Sequence, residues 1–353
     1  MKTELAVDGT RFIINGRPTY EGVMWRGVPV EGLLLNSRMI QGVFDDENPA
    51  TRELWRYPDT GRWDPDRNTD ELCAALPEYR AHGLLAVTVG LQGGGSVYTP
   101  DVYETFECSA FEAGGEFRKP FFDRLLRVLR AADECGMVVI VNMFYVKHAR
   151  RIDPDRVPGI CERAAEWLLG TGLRNIIVDV ANESGDWWKQ PVFSPANIHK
   201  LIEAAQSVSV DGRRLIVGSS SGGGKERARG RWLDVEDVSM PHGNGLQPDG
   251  LARKIRDLRG DDGFRKRPRP VLVNEDSVFV GNLDAAVAEG ASWGFYCQGY
   301  GSSYHDRTDW TGRPREDRYE YLSGFQTLPV NWSINTPVKR AFFDRVREIT
   351  GGA

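Results

Sequence analysis

Apolar residues along this chain alternate between two patterns. Short, nearly continuous apolar runs occupy residues 20–25, 84–91, 137–145, 175–183, 214–219, 235–242, 270–276 and 292–298. Such runs suit strands covered by helices on one side and by a filled barrel interior on the other. Between them lie stretches with helical spacing: 70–82, 121–135, 157–169, 195–208, 251–258, 283–289 and 338–349. Residues 121–135 place Phe122, Leu125, Leu126, Leu129 and Ala132 on one face. Ser194 ahead of Pro195 reads as a helix cap. Only 222–233 is a poor helix.

Strand and helix alternating eight times predicts an α/β fold, a (β/α)8 barrel, over residues 1–353 as a single domain. Neither a linker nor a repeat of fixed period interrupts it. Residues 1–19 carry Asp8-Gly9 and Asn15-Gly16 between apolar segments, which predicts a small hairpin with type I′ turns. That hairpin could plug the bottom of the barrel. Two insertions, 26–69 and 93–118, follow strands one and two and are rich in aromatics, including Trp55, Tyr57, Trp63, Tyr98 and Tyr103. Both leave from carboxyl-terminal strand ends, so they are expected to fold over the pocket mouth.

Two of the strand candidates end alike, in Asn182-Glu183 and Asn274-Glu275. Barrel active sites lie at the carboxyl-terminal face, so strands four and seven bring two carboxyl groups to one pocket. An acid that protonates a departing oxygen, facing a carboxylate that attacks carbon, is the requirement for glycosidic bond cleavage. Either glutamate alone reads equally well as a strand-end residue paired with a nearby arginine; two such endings in opposed strands argue for a shared task.

On these motifs the chain resembles the retaining glycoside hydrolases of clan A, including family 5 cellulase-like enzymes. The resemblance implies that Glu183, after Val180-Ala-Asn, is the acid/base and that Glu275, after Val273-Asn, is the nucleophile. It implies that Asn182 holds a sugar hydroxyl, that Trp293 floors a sugar subsite, and that His242 lines the pocket. The opening Arg11-Phe-Ile-Ile-Asn-Gly-Arg-Pro18 is similar to the hairpin of many clan members. Where family 5 enzymes usually carry a tyrosine two residues after the histidine, this chain has Asn244. Further substrate-binding candidates are Asn142, Asn274, Trp25, Arg26, Trp187 and Trp188, with Tyr296 as another ring able to stack on a sugar. Asp45, Asp46 and Trp63 could read hydroxyls of a terminal sugar, and His148 reads as a surface residue. The expected activity is retaining, exo-wise hydrolysis of a short oligosaccharide or small glycoside, or transglycosylation at the same site.

Rival chemistries are less well formed. Gly218-Ser-Ser-Ser-Gly222 matches a nucleophile elbow with Ser220, but a poor helix start follows it. Lys147 could form a Schiff base, and Gly299–Tyr304 is a fragment of a nucleotide loop. A barrel that binds sugar without cleaving it is the non-enzymatic reading. The five histidines show no metal-binding spacing, so neither metal nor cofactor is expected.

Composition narrows the partners. A net charge of −5 argues against nucleic acid and anionic membranes, and the basic run 265–269 reads as a solvated loop. Five scattered cysteines, no secretion signal and no apolar run of membrane-spanning length suggest the cytoplasm. Oligomeric state is not legible.

Overall fold

The computed structural model describes residues 1–94, 105–297, 324–326 and 330–352. Strands are numbered β1–β14 in chain order. A parallel sheet runs β10 (Ile216–Gly218), β9 (Ile176–Ala181), β8 (Val138–Phe144), β7 (Ala86–Gly90), β6 (Asn36–Arg38), β14 (Ser292–Phe295), β13 (Leu272–Val273). The ring closes because β11 (Ser220–Ser221), continuing β10, pairs in parallel with β12 (Met240–Pro241), and Ser239 bridges to Val271 beside β13. The architecture is the expected (β/α)8 barrel.

Its bottom is stoppered by a three-stranded antiparallel sheet, β1 (Leu5–Asp8), β2 (Arg11–Ile14) and β3 (Arg17–Pro18). Asn15 and Gly16 both adopt positive φ, as a type I′ turn requires. In the first turn only Gly9 does, so that one is not type I′. Phe12 is fully buried against Leu34, Val138, Ile140, Ile177, Met240 and Leu272, the lowest interior layer.

The first barrel strand is a correction. Residues 20–25 do not extend, because Tyr20 and Gly22 turn with positive φ. Met24–Trp25 (β4) instead folds back on Val28–Pro29 (β5) around Arg26 and Gly27, both in the left-handed region. The strand is Asn36–Arg38, after the apolar Leu33-Leu-Leu35. The loop that leaves its carboxyl end therefore begins at Met39, and the following helix starts at Pro65, where Asp64 accepts from the amides of Asp66 and Arg67.

Smaller shifts follow the same logic. Ser194 bonds back to the Pro191 carbonyl, so the helix starts at Ile198 rather than Pro195. Residues Arg231–Val235 form a helical turn that shortens the sixth strand. In the basic run, Arg269 is buried and paired with Glu236 at 3.2 Å, so this stretch is not merely a solvated loop.

The first two loops are knitted together by buried Asp46. It accepts from Thr51 Oγ1 at 2.6 Å, Trp55 Nε1 at 2.8 Å and the Glu107 amide at 2.8 Å. Tyr98, Tyr103, Gln298, Gly299–Tyr304 and His305 lie outside the described residues.

Glycine at 294 is demanded by the barrel. A Cβ there would stand 2.5 Å from Asn36 Oδ1 and 2.8 Å from the Asn274 carbonyl carbon. Gly294→Ala is expected to cost about 1–3 kcal/mol in denaturant unfolding, the usual penalty of overpacking. A change under about 0.5 kcal/mol, the range of neutral surface changes, would show that the barrel yields there without cost.

Candidate active site

The barrel interior is layered by polarity. Above the apolar floor, the next inward positions are Asn36, Asn142, Asp179 and Asn274, all fully buried. Asp179 is their hub: it accepts from Asn142 Nδ2 at 3.0 Å, Asn274 Nδ2 at 3.1 Å and the Ser220 amide at 2.8 Å. Burial pushes its carboxyl above the usual range, against the pull of His242 and these donors.

One layer higher, at the carboxyl-terminal ends, stand Arg38, Glu183, His242 and Glu275. Arg38 Nε lies 2.7 Å from Glu275 Oε2, and its Nη2 donates to Asn182 Oδ1 at 2.9 Å. Asn244 Nδ2 donates to Glu275 Oε1 at 2.8 Å. His242 Nδ1 is 3.1 Å from Glu183 Oε1 and 3.6 Å from Glu275 Oε2. The facing atoms of Glu183, His242 and Glu275 all lie within 4.8 Å of one another.

The two carboxyl groups differ in setting. Glu275 is buried, with the Arg38 guanidinium on one oxygen and the Asn244 amide on the other. Glu183 is a quarter exposed at the side chain. Burial works to raise its pKa, but the His242 hydrogen bond and charge, then Arg38 and the Gly223 amide, leave it below the usual value. Behind Glu275, burial lifts Asp276 to about 7 despite bonds from Trp293 and Asn282.

Glu183 also departs from extended backbone, with φ of 54°. This region costs a non-glycine residue roughly 1 kcal/mol or more and is held only by its surroundings. The restraints here are Ser220 Oγ, which accepts from the Glu183 amide at 3.1 Å, and Trp188 Nε1, which donates to the Glu183 carbonyl at 3.0 Å. Ser220 Oγ in turn donates to the Ala181 carbonyl at 3.1 Å. Ser220 is thus spent on shaping the strand end, an arrangement unlike a serine nucleophile with its base.

Among the expected site residues, the structure brings together Asn182, Glu183, His242 and Glu275, with Asn142 and Asn274 just beneath. Several others lie elsewhere. Trp293 points out of the barrel, because Gly294 takes the inward position; it packs on Phe342 at 6.0 Å and bonds Asp276. Trp188 is fully buried against Phe193, at 4.1 Å, so it supports Glu183 from behind rather than offering a face. Trp187 is 46% exposed and does offer one.

Trp25 and Arg26 are far from this end. Trp25 Nε1 bonds Glu348, and Arg26 pairs with Asp284 and Glu348. Glu348 belongs to the last turn of helix Pro337–Thr350, whose Thr350 abuts Gly83 at the strand-start end. Asp46 is consumed by the loop, and Asp45 by Arg52 and Trp63. His148 is buried rather than superficial: Nε2 accepts from the Cys108 amide at 3.1 Å, and burial lowers its pKa to about 3. Lys147 Nζ rests 4.4 Å from the Phe106 ring centre.

Sequence reasoning missed Arg38 and Asp179 as members of the site, and placed Asn244 only as a departure. For Asp179 a signal was available, a charge inside an otherwise apolar strand; Arg38 ends the polar Asn36-Ser-Arg38, which reads as a loop. The carboxylates and His242 could offer ligand atoms to a metal ion, but Arg38 already supplies the positive charge on Glu275.

This barrel is similar to solved glycoside hydrolases. It aligns with a GH5-4 broad-specificity endoglucanase from Clostridium longisporum at TM-score 0.55 and 10% identity, covering 94% of this chain and 99% of that one. A glycoside hydrolase family 5 protein from Bacteroides vulgatus aligns at TM-score 0.54 and 14% identity, over 88% of this chain and 67% of that one. A third, described as a glycoside hydrolase, gives TM-score 0.54 and 12% identity, with 84% of this chain covered. The chain spans 65% of that third protein's length. At such identities the likeness establishes the fold. No protein-family model and no curated protein matches the sequence.

Removing Arg38 should expose its electrostatic role. Arg38→Met is expected to lose about 3–5 kcal/mol of stability, because it strands a buried carboxylate. Adding Glu275→Gln should recover part of that loss in a double-mutant cycle. Simple additivity of the two changes would contradict the pairing.

Proposed function

We propose that this protein is a retaining glycoside hydrolase in which Glu183 is the acid/base and Glu275 the nucleophile. The observation that carries the reading is the meeting of both carboxylates with His242 inside 4.8 Å. Retaining enzymes hold the carboxyl pair about 5–5.5 Å apart, and inverting ones about 6.5–9.5 Å, to admit a water.

In this mechanism Glu275 Oε attacks the anomeric carbon as the glycosidic C–O bond breaks, and the departing oxygen takes the Glu183 proton. A covalent glycosyl-enzyme results. Glu183, now ionised, takes a proton from water, whose oxygen attacks the anomeric carbon and frees Glu275. A sugar hydroxyl in place of water gives transglycosylation. Arg38 and Asn244 suit the nucleophile role, since both stabilise its anionic form before attack.

The surrounding atoms favour a polyhydroxylated ligand. His242 Nε2, Asn142 Oδ1, Asn274 Oδ1, Asn244 Oδ1 and Arg38 Nη1 are buried without a hydrogen-bond partner among the described residues. Buried polar groups normally find partners in protein, water or ligand. Trp187, in the loop that follows Glu183, is 46% exposed and supports a stacking surface for a sugar. The knitted loops after the first two strands support a pocket closed at one end, hence exo-action on a short oligosaccharide or small glycoside. The five free thiols support a reducing compartment such as the cytoplasm. The described residues contain no helix long and apolar enough to cross a membrane.

A panel of aryl glycosides tests the assignment. Glu275→Ala should lose at least about a thousandfold in kcat, with azide restoring turnover to an inverted product. Glu183→Ala should spare substrates with good leaving groups. Equal turnover by both variants and the wild type would remove the roles. Binding without turnover by any form would favour a sugar-binding barrel.

The pH profile follows from the setting of Glu183. Only its protonated form donates, and its neighbours hold its pKa down, so kcat/KM should fall as pH rises on the acid side of neutrality. An optimum at alkaline pH would contradict the roles of His242 and Arg38.

A further inference from the structure

We propose that Lys254 is a positioning residue for Glu183, its buried ammonium tying together the two backbone segments that carry the partners of the Glu183 carboxyl. The proposal rests on the reading of Glu183 as proton donor.

Lys254 lies on helix Pro248–Arg259, outside the barrel, with 5% of its surface exposed. An isolated buried ammonium is costly, and lysine is almost never buried without partners. Its Nζ donates to the Gly222 carbonyl at 2.7 Å and to the His242 carbonyl at 2.7 Å. Those two carbonyls belong to different strand ends. Gly222 follows β11 and precedes Gly223, whose amide approaches Glu183; His242 follows β12 and offers Nδ1 to the same carboxyl.

The two segments are also pressed together. The Gly224 amide donates to the Asn244 carbonyl at 3.1 Å, and a Cβ on Gly223 would meet that oxygen at 2.6 Å. Lys254 is the cation at the back of this junction. It therefore fixes the distance between loop and histidine, and with it both groups that favour ionised Glu183. Asn244, the amide partner of Glu275, sits on the same junction.

Charge acts in the same direction as geometry. Burial lowers the Lys254 pKa to about 7, while Glu183, Glu226 and Asp276 pull it up. These carboxylates come from the fourth-strand end, the loop after the fifth strand and the seventh-strand end; Arg253 and Asp257 flank Lys254 on its own helix. The attraction is mutual, so Lys254 favours the ionised form of Glu183. No part of this requires Lys254 to touch a substrate.

The direct test is titration of Glu183 by 13C NMR of labelled glutamate carboxyl groups, the signal assigned by its loss in Glu183→Gln. Lys254→Met should raise the Glu183 midpoint by about one pH unit, the low end of the effect of a nearby opposite charge. Lys254→Arg, which keeps the charge, should return the midpoint toward wild type. Should Lys254→Met fail to fold, Lys254→Gln, which can still donate to one carbonyl, is read in the same way. With an aryl glycoside, the alkaline limb of kcat/KM should move by the same amount and in the same direction. A purely structural lysine would lower the melting temperature but leave every midpoint at the wild-type value, and that result overturns the proposal. If the wild type cleaves no glycoside, the functional reading fails while the NMR titration still decides the role of Lys254.

Discussion

The arrangement at the mouth of the barrel depends on one buried charge. Arg38 is 2% exposed, yet its guanidinium reaches Glu275 on one side and Asn182 on the other. A buried carboxylate without an opposing charge is costly, and Arg38 supplies that charge to Glu275. Arginine suits this place because its fork of donors serves two acceptors and it stays protonated. The same side chain thus joins the end of the first strand to the ends of the fourth and seventh, which are separated around the barrel.

The remaining architecture fixes that junction from below and behind. The Asp179 layer ties strands three, four, five and seven together through Asn142, the Ser220 amide and Asn274. Ser220 and Trp188 then hold Glu183 in a backbone conformation that local preference disfavours. Two indoles expected to line a sugar site serve as support instead: Trp188 bonds the Glu183 carbonyl from behind, and Trp293 packs outside the barrel on Phe342. What remains facing the carboxylates is mostly polar, which suits recognition of hydroxyl groups rather than of an apolar ligand.

Much of this was legible in the chain. Strands two, three and four were readable because their apolar runs are long and covered on both faces. Glu183 and Glu275 stood out because each ends such a run. The first strand was not readable, since Asn36-Ser-Arg38 turns polar side chains into the interior and resembles a loop. Tyr20–Trp25 mimicked a strand by composition while Tyr20 and Gly22 took turn conformations. The direction of Trp293 could have been read from Ser292 and Gly294, whose small side chains mark the inward positions of that strand. Distant partnerships such as Asp46 with Glu107, or Lys254 with His242, leave no local trace, because they exist only once the loops are folded.

The central claim is that Glu275 forms a bond to the sugar. It is tested most directly by incubating the protein with an activated 2-deoxy-2-fluoro glycoside, which slows release of a glycosyl-enzyme, and locating the adduct by peptide mass spectrometry. The account predicts one sugar per chain, on the peptide and side chain of Glu275. An adduct on any other residue, or turnover of the parent glycoside with inverted product and no adduct, would contradict it.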